Sequence, residues 1–83
     1  MTYEQIVKPI SVPEIITTPI PDVPKGKVPI RILVCGLPQG VNSIVHELHV
    51  KNFAEVIAWS PPLPSTVEGE VIRVLTRYFL LAG

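Results

Sequence analysis

Hydrophobic positions along this chain do not keep a single period. Residues 30–35, Ile-Arg-Ile-Leu-Val-Cys, form a short, nearly unbroken run of β-branched residues and leucine, which predicts a strand covered on both faces. Gly36, Pro38 and Gly40 interrupt it. Val41, Ile44, Val45 and Leu48 then fall at i, i+3, i+4 and i+7, one stripe of an amphipathic helix. Asn42 or Ser43 can serve as its N-cap, and Lys51 and Asn52 mark its end. Val50 lies on the opposite face, which admits a second covering there.

Residues 55–59, Glu-Val-Ile-Ala-Trp, predict a second strand, stopped by the run Ser60-Pro61-Pro62-Leu63-Pro64. Strand, helix and strand in that order predict a parallel, right-handed crossover. The last segment, residues 69–81, fits two periods. As a helix it aligns Val71, Val74, Leu75 and Tyr78, and Ser65 with Glu68 resembles a capping box. As a strand it puts Ile72, Val74, Thr76, Tyr78 and Leu80 on one face and Arg73 and Arg77 on the other. Gly69 and the β-branched and aromatic content favour the strand. The expected fold class is α+β, a small single domain made of a β-α-β-β unit with an extended Pro-rich N-terminal arm.

The arm is residues 1–29, ahead of a small domain at 30–83. Six of the ten prolines, Pro9, Pro13, Pro19, Pro21, Pro24 and Pro29, lie in it. Each removes a backbone donor and biases its predecessor away from the helical region, which rules out a long helix or a central strand. The arm also holds Ile6, Val7, Ile10, Val12, Ile15, Ile16, Ile20 and Val23, too apolar a set for a free linker. It is expected to lie on a surface, its own or a partner's. The remaining domain is small enough to gain from such help, because short chains bury a modest fraction of their surface.

Composition narrows the function classes. Apolar residues make up 47% of the 83, enough for a core. Seven basic and seven acidic residues balance, which argues against a nucleic-acid binder that works by phosphate neutralisation. Cys35 is the only cysteine, so neither an intrachain disulfide nor a four-thiolate zinc site can form, and a reducing, cytoplasmic setting is expected. The N-terminus lacks the basic and apolar regions of a secretory signal, and no apolar stretch reaches the ~18–20 residues needed to cross a bilayer.

Strand, glycine turn and helix is the order in which nucleotide-binding folds place a phosphate on a helix N-terminus. Here Gly36 and Gly40 are separated by three residues, and Val41-Asn42 stands where a P-loop has Lys-Ser/Thr. The dinucleotide fingerprint fails as well, since Pro38 occupies the second glycine position. What remains is a generic anion site at Gly36, Gly40, Asn42 and Ser43, set against a plain connection whose glycines supply positive φ. The plain connection is the favoured reading. Cys35, ahead of this turn, has no Cys-x-x-Cys partner and reads as a small core residue. His46 and His49 stand at i, i+3, which is not the zinc-protease spacing, and read as a solvated flank, so no metal or cofactor is expected. No Ser/His/carboxylate or paired-carboxylate arrangement is visible, so an enzyme is not expected.

The features that remain concern binding. Pro21-Asp22-Val23-Pro24-Lys25 fits the P-x-x-P-x-basic pattern of polyproline ligands, a match that arises readily in any proline-rich arm. Trp59 with Pro61, Pro62, Leu63 and Pro64 offers an aromatic beside a rigid run, the kind of anchor found at interfaces, set against a core tryptophan under a stiff loop. Lys25, Lys27 and Arg31, like Arg73 and Arg77, read as solvated basic faces.

Phe53-Ala54-Glu55-Val56, Trp59-Ser60-Pro61, Gly69-Glu70-Val71 and Leu75-Thr76-Arg77 together resemble a small uncharacterised cyanobacterial protein family. The resemblance covers about residues 53–77. It implies a cytoplasmic protein of a photosynthetic bacterium and brings no activity or site residue. The sequence therefore points to a non-catalytic interaction or assembly protein, a homo-oligomer or an accessory subunit of a larger complex. The alternative is an anion- or nucleotide-binding or small enzymatic domain built on residues 36–43.

Overall fold

A computed structural model describes residues 8–81, so Ile6, Val7 and the rest of residues 1–7 of the arm lie outside the described residues. In chain order the elements are helix α1 (Val12–Thr17), strand β1 (Lys27–Gly36), helix α2 (Pro38–Val50), a 3-10 turn (Val56–Ala58), the short strand β2 (Leu63–Pro64) and strand β3 (Val71–Leu80). β1 and β3 pair antiparallel over their whole length, from Lys27 opposite Leu80 to Gly36 opposite Val71. β2 pairs antiparallel with the other side of β3, giving the order β1-β3-β2. The class is α+β, and its sheet is antiparallel throughout.

The final segment is the strand that its β-branched residues favour. Gly69, at φ 81°, closes the turn ahead of it, where the Glu70 amide donates to the Val67 carbonyl at 3.1 Å. Open space surrounds the position where a Cβ would lie, so backbone conformation and not crowding calls for glycine there.

Residues 55–59 are not a strand, and no parallel crossover exists among the described residues. Strand alternation would send Val56 and Trp59 to opposite faces. The fold needs both against the same cluster, three residues apart, and a 3-10 turn supplies that period. The Trp59 amide closes the turn on the Val56 carbonyl at 3.2 Å, and Ile57 is left 88% exposed.

Helix α2 starts earlier than its apolar stripe. Pro38 occupies the first turn, where a missing N–H costs nothing, and Leu37 is the N-cap, without a side-chain bond. Asn42 and Ser43 therefore sit inside the helix rather than capping it. Val41 and Val45 are buried, Leu48 is half-buried, and Ile44 and Val50 are exposed, so α2 is covered on one side only.

Side-chain alternation divides the sheet into two faces. Ile32, Val34, Val71 and Leu75 meet α2 and Trp59 on one face, where Val41, Val45, Trp59 and Leu75 form the buried cluster. On the other face lie Pro29, Arg31, Leu33 and Cys35 of β1, opposite Tyr78, Thr76, Val74 and Ile72 of β3. The arm covers that second face. Ile10 bridges to Ser65 beyond β2, with its amide donating to the Pro64 carbonyl at 2.8 Å. α1 follows, with Ile15 its buried residue, and ends above β1.

The arm is thus a strap across the sheet, and it contains one short helix where continuous extension was expected. Ser11 caps that helix, its Oγ accepting from the Glu14 amide at 3.3 Å, and Pro13 sits in the first turn. Lys27, Val28 and Pro29 belong to β1, so the strand begins ahead of Ile30.

Trp59, 4% exposed, fills the space between α2 and β3. Trp59→Ala is expected to cost about 3–5 kcal/mol, a large fraction of the stability of a domain this small. Urea unfolding followed by circular dichroism measures it. A loss under about 1 kcal/mol would show that the cluster does not depend on this ring.

Candidate functional site

The polyproline edge is built from backbone bonding along β3. The Ser60 amide donates to the Val74 carbonyl at 2.8 Å, and the Ser60 Oγ accepts from the Val74 amide at 3.0 Å. The Ser60 carbonyl also accepts from Arg73 Nε at 2.9 Å. These bonds lay the proline run flat beside the sheet. Pro61 and Pro62 stay exposed, while Leu63 and Pro64 are half-buried in β2. Trp59 is turned into the core, with its indole Nε1 buried and without a partner among the described residues, so this side chain offers no surface to a second protein. The prolines and the tryptophan do not form one exposed patch.

The turn between β1 and α2 is spare of donors. Gly36 holds φ 151°, whereas Gly40 lies in the first turn of α2 with no positive φ. Pro38 removes one of the helix's free amides, and Val41 already donates to the Leu37 carbonyl at 3.0 Å. Asn42 Oδ1 accepts from Arg73 Nη1 at 3.3 Å, and Asn42 and Ser43 stand beyond the free end of the helix. The four residues thus do not converge on one point. They make a connection that requires glycine at Gly36.

Cys35 is exposed, not a core residue. Residues 31–34 are half-buried in succession, in line with cover on both faces, whereas Ile30 and Cys35 at the two ends of the run are exposed. His46 and His49 are exposed on α2 with ring centroids 6.3 Å apart. Among the described residues no group of three or more His, Cys, Asp or Glu side chains comes together as a metal site would need. The shallow hollow beside His49 is lined by Asn52, Phe53, Glu55 and Arg77. Arg77 is already engaged there, stacked 4.7 Å above the Phe53 ring and donating to the Phe53 carbonyl.

No family model, curated protein or solved structure matches the chain. The functional reading rests on the geometry.

That geometry is one of unequal edges and an overhanging end. The Leu81 amide donates to the Gly26 carbonyl at 3.0 Å, one step beyond the pair of Lys27 and Leu80. In an antiparallel ladder this fixes the phase: even-numbered residues of β1 bond to β3, and odd-numbered ones turn their N–H and C=O groups outward. The Val74 bonds to Ser60, on the far side of β3, agree with that phase. Pro29 therefore loses no ladder bond, because its nitrogen faces the open edge. Among the described residues, nothing bonds to the outward amides and carbonyls of Arg31, Leu33 and Cys35. Ile10 closes the opposite side of the sheet. At the far end, the ladder outruns α2 and leaves Val28, Ile30 and Phe79 exposed on that face, Phe79 by 59%, with Tyr78 and Leu80 exposed on the other.

Arg31 ties the strap to this edge strand. Its Nη1 donates to the Ile15 carbonyl at 2.6 Å and its Nη2 to the Thr18 carbonyl. Both acceptors are at the C-terminal end of α1, where free carbonyls and the helix dipole favour a cation. Sequence reasoning placed Arg31 in a solvated basic face, because its partner lies 16 residues away and no local spacing marks it. Arg31→Lys cannot reproduce the fork and is expected to loosen the strap by about 1–3 kcal/mol. Hydrogen exchange would quicken across residues 10–18 while α2 amides keep their protection. Unchanged exchange in the strap would mean that the guanidinium does not hold it.

Proposed function

We propose that this protein is a small, non-catalytic assembly protein that self-associates or sits as an accessory subunit in a larger complex. The observation that carries the reading is the overhang of the β1–β3 ladder, where Val28, Ile30 and Phe79 share the α2 face beyond the helix and no described element covers them. Contiguous exposed apolar surface of this kind marks interaction sites. Its position beside an unpaired strand edge strengthens the reading, since the two together offer hydrophobic contact and backbone bonding at once. A net charge of zero leaves no long-range repulsion between copies.

No helix among the described residues is long and apolar enough to cross a membrane. We place the protein in the cytoplasm, where its single exposed thiol, Cys35, stays reduced. The polyproline edge contributes exposed Pro61 and Pro62 as a secondary surface, and Trp59 contributes from within by holding that edge in place.

The reading is tested by light scattering on size-exclusion fractions over a hundredfold dilution series of the full chain. A mass that falls from an oligomer toward one chain on dilution is expected. A mass of one chain throughout, together with no stoichiometric companion on native purification, would overturn it.

A further inference from the structure

Given that the protein self-associates, the structure assigns the contact: the open edge of β1 pairs antiparallel with the β1 edge of a second copy, about a two-fold axis at Leu33. Outward bonding groups sit at Arg31, Leu33 and Cys35, by the phase of the β1–β3 ladder. A two-fold axis at Leu33 sets Leu33 against the partner subunit's Leu33. It also sets Arg31 against the partner subunit's Cys35, so the arginines do not meet. All three positions then exchange both backbone bonds.

The next pair decides the register. Pro29 falls opposite the partner subunit's Leu37. Pro29 has no N–H to give, and the Leu37 carbonyl needs none, because the Val41 amide already occupies it at 3.0 Å. An axis at Arg31 would instead place Pro29 against the partner subunit's Leu33, whose carbonyl would be left bare, and set arginine against arginine.

Side chains fit the same register. Leu37 is 61% exposed in extended conformation ahead of α2. Opposite it, beside Pro29, lies a largely apolar recess lined by Ile16, Pro19, Ile20, Pro29, Ile30 and Arg31, with about 440 Å³ of open space. Leu37 of one copy enters the recess of the other, twice by symmetry. Ile30, exposed on the α2 face, falls against the partner subunit's Gly36, which has no side chain to obstruct it. One chain thus carries both the protruding leucine and the hollow that takes it, as an isologous contact requires.

Sedimentation velocity on the full chain and two variants tests this. Leu37→Asp removes the inserted side chain yet gives α2 the acidic N-cap that it lacks, so the fold is retained. Cys35→Pro removes an outward amide that β3 does not use. Each is expected to weaken the dimer at least about tenfold with unchanged circular dichroism. A third variant pair, Leu33→Cys with Cys35→Ser, is expected to form an interchain disulfide on mild oxidation, since facing residues of such a pair have Cα atoms about 5.5 Å apart. The native Cys35, four residues out of register with its copy, does not. A wild-type dimer that both variants leave intact, with no cross-link at Leu33→Cys, would overturn this contact and leave self-association standing. A wild-type chain that stays monomeric would overturn both.

Discussion

The pairing of β1 with β3 is the constraint on which the rest of the protein depends. It joins residues 35 to 53 positions apart in sequence, from Gly36 opposite Val71 to Lys27 opposite Leu80, and the other elements rest on the surfaces it makes. α2 needs Leu75 and Ile32 side by side on one face to bury Val41 and Val45. The strap needs Arg31 held on the other face to receive the carbonyls of Ile15 and Thr18. β2 and Ser60 need the far side of β3. Two-stranded ribbons are marginal alone, and here a helix on one face and the arm on the other make the sheet a three-layered object.

How much of this was legible in the sequence follows from which signals were local. β1 and β3 were readable because β-branched runs between glycines mark strands wherever they pair. The helix stripe was readable because Val41, Val45 and Leu48 face the core. The apolar stripe alone starts α2 too late because Pro38 reads as a breaker, although the first helical turn tolerates proline. The turn at Val56–Ala58 was hidden by composition: two apolar β-branched residues before a tryptophan look like a strand until the core demands Val56 and Trp59 on the same side. The short helix α1 did leave a signal, since Ser11, Pro13 and Glu14 form a cap and first turn, but the density of prolines masked it.

The candidate surface was less legible for a different reason. Which strand lies at an edge is a property of the topology, and no residue in β1 announces it except Pro29, tolerated because its nitrogen faces outward. Cover on both faces reaches only residues 31–34, so Cys35, which the apolar run assigns to the core, lies outside it. Trp59 drew attention for its size and its prolines, yet size is equally what a small core requires. Arg31, Arg73 and Arg77 each donate to a backbone carbonyl outside the three strands, and they fix the strap, the Ser60 edge and the chain just past α2 respectively.

The two edges of the sheet have been treated differently by the same chain. On the β2 side, prolines, a two-residue strand and the bridge of Ile10 to Ser65 use up the bonding groups, which are among the usual ways of blunting an edge. On the β1 side the strand is ten residues long and rich in β-branched residues, and only Pro29 interrupts its outward bonds. An edge of that kind left bare would template uncontrolled pairing. Pro29 and the turn at Gly36 confine outward bonding to the stretch between them. The proposed two-fold pairing with a second copy would consume that stretch, and it would leave Phe79 at the end of the ladder as a separate exposed surface.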